Sequence, residues 1–181
     1  MAKASITEQL KKGDIDAETR RQLFALIYSD LRSRASRVLG GHDNPSLSTT
    51  ALVHETYLKL IDAPLSLQSK SHFFHAAAQA MRQIMVDHAR SRLTQKRDRK
   101  AQVTLEDALA PVDGQKLSEL IALHQALERL HAEDEGLAQI VELHFFGGLK
   151  FDEIAELSNR SLSTIEREWR IARAMLHRYM K

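Results

Sequence analysis

From about Asp16 to Leu39, the apolar residues Leu23, Phe24, Ile27, Leu31, Ala35 and Val38 recur three and four positions apart, a helical stripe rather than the alternation of a strand. Asp14 or Asp16 can cap its start, and Gly40-Gly41 ends it. A polar loop with Pro45 leads into LSTTALVHETYLKLI, residues 47–61, where Leu52, Val53, Tyr57, Leu60 and Ile61 share one side and Pro64 stops the helix. This stretch opens without charge. Ser48, Thr49 and Thr50 stand where free backbone N–H groups and the helix macrodipole favour acids. Hydroxyls can cap there, but they carry charge only when modified.

After a Ser- and Leu-rich loop over Ala63 to Ser71, with Ser69 or Ser71 as the cap, a third helix carries the stripe Phe74, Ala77, Ala78, Met81, Ile84, Met85 and His88. Gln79, Arg82, Gln83, Asp87 and Arg90 form the opposite, polar face, which runs on into Arg92, Lys96, Arg97, Arg99 and Lys100. A basic run is ordinarily a solvated helix end, but its continuity with amides and arginines points to nucleic acid. Residues 101–115, AQVTLEDALAPVDGQ, lose the periodicity and read as a linker between two domains, 1–100 and 116–181. Two further stripes follow, Leu117, Leu120, Ile121, His124, Leu127 and Leu130, then Leu137, Ile140, Val141, His144 and Phe145, the second ended by Gly147-Gly148.

The last two helices lie close together in sequence. Phe151 to Leu157 is short, Ser158-Asn159-Arg160 form a tight turn in which Asn159 suits a left-handed conformation, and Ser161 or Ser163 opens a helix that reaches Tyr179. Burying Ile165, Trp169, Ala172, Leu176 and Tyr179 turns Thr164, Arg167 and Arg170 outward, the arrangement of a helix-turn-helix whose second helix enters the major groove. Arginine there reads guanine or grips phosphate. Glu166 and Glu168 oppose phosphate, and Ser163-x-x-Glu166 reads as a capping box that occupies Glu166.

Composition narrows the class. The 43% hydrophobic and 28% charged content suits a helix-rich globular chain, and zero cysteines exclude disulfides, thiolate zinc sites and cysteine nucleophiles. No apolar run approaches a membrane span, and MAKASITEQLKKGD lacks a signal peptide's apolar core, so a cytoplasmic location and no membrane partner are expected. The net charge of +2 hides an asymmetry: residues 1–100 carry a surplus of +7 and residues 101–181 a deficit of −5. Polyanion binding is the first expectation for the basic half.

ALVHETYLKL, VDHARSR and VELHFFGGLKFDEIAELSNRSLSTIEREWRIARAML, in that order over nearly the whole chain, resemble the motifs of the extracytoplasmic-function (ECF) sigma factors of bacterial RNA polymerase. The resemblance implies an all-α chain of two small helical domains. The first would bind the polymerase clamp and melt the minus-ten element, and the second would place its recognition helix in the minus-thirty-five element. It implies core RNA polymerase and promoter DNA as partners, with no catalysis and no cofactor; it leaves open an anti-sigma factor. By position, Leu52, Val53, Glu55 and Thr56 would lie in the polymerase-binding helix. The loop from Leu65 to Lys70 would hold a flipped base, Gln83, Asp87 and Arg90 would lie near the melted strand, and Arg160, Thr164, Arg167, Arg170 and Arg173 would face duplex DNA.

The chain departs from the family pattern where relatives carry acids before the Leu-Val pair and here Ser48, Thr49, Thr50 and Ala51 stand. It departs again at Gln83, in place of the usual Asn, and at Glu166, in place of the usual Lys. The first departure, with a resemblance to kinase-linked branches, leads to the expectation that a Ser/Thr protein kinase activates the chain at Thr50, or second at Thr49, since phosphate supplies about −1.5 to −2 charge at a helix start. Two other readings compete: a helix-turn-helix regulator that acts without polymerase, and a His/Asp metal-dependent phosphohydrolase suggested by nine histidines and the pair Asp87-His88. Against the last, His88, His124 and His144 fall on or beside apolar stripes, so the expectation is no metal.

Overall fold

Three-and-four spacing of apolar residues demands helices packed on their stripes, and the computed structural model has that form. It describes Tyr28 and residues 31–39, 47–62, 70–99 and 114–181. Helix α1 is described over residues 31–38. Then come α2 (Thr49–Asp62), α3 (Lys70–Arg99), α4 (Gly114–Glu133), α5 (Glu135–Val141), a π-helical turn (Glu142–Phe146), α6 (Phe151–Ser158) and α7 (Leu162–Tyr179). The fold is all-α, as expected. Ser71 lies inside α3 and so does not cap it, and Gly114 and Gln115, expected in the linker, open α4. Residues 101–113, the loop 63–69 and the start of the first expected helix lie outside the described residues.

Helix α3 is the hub. Its expected stripe is buried from Phe74 to Ile84, but so are Ala80, Val86 and Ala89 on other sides of the same helix. It therefore packs against α2 on one side and against α4 and the π-helical turn on another. One cluster joins Leu31, Leu52, Val53 and Met81 to Leu143, Leu149, Ile154 and Ile165, so the N-terminal and C-terminal segments bury apolar surface in common. A second joins Leu127, Leu130, Val141, Phe146, Ala172 and Leu176. Trp169 and Met85 border both.

The expected helix from Leu137 to Phe145 divides in two. Asp134 caps α5 by accepting the Leu137 N–H at 2.9 Å, and the coil then widens so that the Gly147 N–H reaches the Glu142 carbonyl at 2.9 Å. Widening sends Leu143 into the first cluster and Phe146 into the second. Gly147 caps the turn, and Gly148 follows it at φ 62°, where a Cβ would sit 2.8 Å from the Arg34 carbonyl oxygen of α1. Glycine is needed on both counts. Among the described residues no helix is long and apolar enough to cross a membrane.

Candidate nucleic-acid interface

Two short chain reversals position α7 against α6. Asn159 adopts φ 53°, ψ 46°, as its short polar side chain allows, and the Arg160 N–H returns to the Ala155 carbonyl at 2.9 Å to close the end of α6. Ser161 then caps α7, its Oγ accepting the Thr164 N–H at 3.2 Å. Ser163 is the second residue of the helix, and its Oγ lies 3.0 Å from that of Ser161. The expected Ser163–Glu166 capping box is therefore absent, because the turn ends two residues earlier than that motif requires.

Ile165, Ala172 and Leu176 are buried on one side of α7 and hold it to the body. On the other side Glu166, Arg167, Arg170 and Arg173 are exposed. Thr164 is half-buried and shares a hydrogen bond with Ser161 at 2.7 Å. Arg160, expected to face DNA, forms an ion pair with Glu168 at the turn, so these two charges satisfy each other. His144 stands behind the pair of helices as a structural residue: its ring stacks on Phe151 with centroids 4.4 Å apart, meets Trp169 edge-on, and its Nδ1 lies 2.8 Å from the Leu149 carbonyl.

On α3, Gln83, Asp87 and Arg90 are exposed in a row, with Asp87 and Arg90 paired at 3.7 Å and Lys59 of α2 donating to Gln83 at 3.4 Å. Lys70 is the first residue of that helix. Arg82 departs from the expected polar face. It is buried against the C-terminal segment, its Nε 2.9 Å from the buried Glu142 carboxylate, and its Nη1 reaches both Glu128 and, at 2.8 Å, His124. Burial pushes the Glu142 carboxyl up against the pull of Arg82, whereas the hydrogen bond from Arg82 holds Glu128 down. Burial and then Arg82 push His124 down, and burial and then Arg92 do the same to His88. The sequence carried one signal of this cluster, a lone acid, Glu142, between Ile140-Val141 and Leu143.

The start of α2 sorts its hydroxyls. Ser48 is the cap, its Oγ accepting the Ala51 N–H at 3.1 Å and its carbonyl the Leu52 N–H at 3.0 Å. Thr49 and Thr50 are the first two helical residues, and Thr50 is exposed. No acid stands in this first turn. Leu52, Val53 and Thr56 point into the core, Thr56 donating to the Leu52 carbonyl at 2.6 Å, while Glu55 is exposed.

Among the described residues no three of His, Asp and Glu gather as a metal site would require. Asp87 faces solvent beside Arg90, while the neighbouring His88 is turned half inward. A family model described as ECF sigma factor matches residues 2–181. No curated protein and no solved structure matches the chain.

Proposed function

The chain belongs to the ECF sigma factor family, and from that premise we propose that it directs core RNA polymerase to promoters in two steps divided between its segments, with phosphate on α2 as the control. Membership makes the chain a transcription-initiation factor whose partners are core RNA polymerase and promoter DNA. Residues 1–100 dock on the polymerase and open the minus-ten element, residues 116–181 hold the minus-thirty-five element, and 101–115 connect them. The observation that carries the assignment is the match over residues 2–181, which spans both segments. It disfavours a regulator that shares only the last two helices.

The roles distribute by exposure. Leu52, Val53 and Thr56 set the attitude of α2 from within the core, so Glu55 is the member of that group available to the clamp. Gln83, Asp87 and Arg90 form an exposed polar row suited to an unpaired strand. Helices α6 and α7 act as a helix-turn-helix, with Arg167, Arg170 and Arg173 on the duplex.

Phosphorylation of Thr50 by a Ser/Thr kinase is the switch. Ser48 already occupies the cap, and Thr50, in the first turn, is exposed. A phosphate there adds about −1.5 to −2 charge at the positive end of the helix and replaces the missing acids. Binding to core polymerase and promoter-specific transcription test this with Thr50→Ala and Thr50→Glu. The expected result is inactivity for the first and kinase-independent activity for the second. If both match the unmodified wild type with no kinase present, the switch is wrong.

A further inference from the structure

We infer that Glu166 is a base-reading residue of the minus-thirty-five contact, selecting a cytosine through its exocyclic amino group. This rests on the assignment of α7 to duplex DNA. An acid on a surface that meets phosphate weakens binding, so an exposed carboxylate among arginines calls for a structural or a recognition role. The structural role expected from the sequence fails, because Ser161 rather than Ser163 caps α7. The neighbouring Glu168 is spent on Arg160 at the turn. Glu166 is exposed, and its carboxylate enters no ion pair or hydrogen bond among the described residues.

Its place on the helix suits the task. Glu166 is the fifth residue of α7, between the exposed Arg167 and Ser163, and one turn before Arg170, whose Nε donates to the Glu166 carbonyl at 3.4 Å. The first turns of the second helix are those that meet base edges in this architecture. A carboxylate only accepts hydrogen bonds, and in the major groove the cytosine N4 amino group presents a donor with no acceptor beside it on that base. Guanine O6 and N7 and thymine O4 repel it. The same residue therefore costs affinity on most duplexes and returns it on one, and discrimination is the net effect.

The test uses the full chain with bacterial core RNA polymerase on promoters randomised across the minus-thirty-five element, comparing wild type, Glu166→Ala, Glu166→Gln and Arg167→Ala. Wild type is expected to enrich cytosine at one position by about tenfold. Glu166→Ala should lose that preference alone while binding the remaining sequences more tightly, and Glu166→Gln should move it to adenine, whose N6 and N7 a carboxamide meets in pairs. An enrichment profile unchanged in both Glu166 variants, with affinity raised evenly, overturns the inference and leaves the duplex assignment standing, provided that Arg167→Ala still weakens binding. If wild type enriches nothing in this element and Arg167→Ala is silent, the duplex assignment itself falls, and the inference with it.

Discussion

Arg82 was legible as a cation on a polar helix face and not as what it is, a buried charge held by Glu142, Glu128 and His124 across the contact between α3 and the C-terminal segment. Helical periodicity places a residue on a face, but it does not say whether another element covers that face. Removing one partner of a buried pair leaves the other unpaired, so Arg82→Met should cost about 3 kcal/mol in urea unfolding, whereas Arg82→Met with Glu142→Leu should recover most of it. Recovery below half would mean that the pair adds net stability. His124 of this cluster and His88, farther along α3, set a pH response. His124 and His88 are held below the ordinary histidine value of 6.5, so the folded chain binds fewer protons than the unfolded one. Their contribution is full above about pH 6.5 and is lost as pH falls below it; thermal unfolding at pH 7.5 and 5.5 should show a lower Tm in acid, with the drop reduced in His124→Gln. Glu142, pushed up by burial against the pull of Arg82, acts with the opposite sign: its contribution is present at low pH and is lost as pH rises through its raised value.

At the scale of elements, the stripes gave the helices and their order because each helix buries what its spacing offers. The left-handed residue was legible too: Asn159 lies at φ 53° where the turn was expected. Caps were legible only as choices, since Ser161 and Ser163 both qualify by residue type and three-dimensional closure of the turn decides between them. Ser161→Ala should cost about 1 kcal/mol and Ser163→Ala should stay within about 0.5 kcal/mol, measured by chemical denaturation. Equal costs would return the cap to the pair. The π-helical turn was not legible, because an inserted residue preserves apolar composition while changing which core each side chain enters. The residue after its cap makes a sharper demand: Gly148→Ala meets both the positive φ and the Arg34 backbone, and a loss of about 2 kcal/mol is expected.

Across the whole molecule, the sequence suggested two units on a linker, and the structure has Leu52, Val53 and Met81 sharing a core with Leu143, Leu149 and Ile154. The pattern could not reveal this, because an apolar stripe looks the same whether its partner lies in its own half or the other. Arg34 and Arg37 of α1 reinforce the contact through Glu153 of α6, at 3.3 and 3.5 Å. A shared core has a consequence for promoter binding. Elements centred on minus ten and minus thirty-five lie roughly 85 Å apart along straight duplex, while a closed chain of this length spans only about 40 Å. On the proposed assignment of α3 to one element and α7 to the other, the segments must separate for both to be occupied at once, and any 13 residues of chain span at most roughly 45 Å. The absence of cysteines allows site-specific dye labelling at Ser91→Cys on α3 and Ala174→Cys on α7, both exposed. Energy transfer should be high in the chain alone and fall sharply when core polymerase and promoter DNA are added together. Arg82→Met should lower it before any partner is added, since it removes a charge that holds the closed form. Transfer that stays high in an actively transcribing complex would show that both elements are reached without opening.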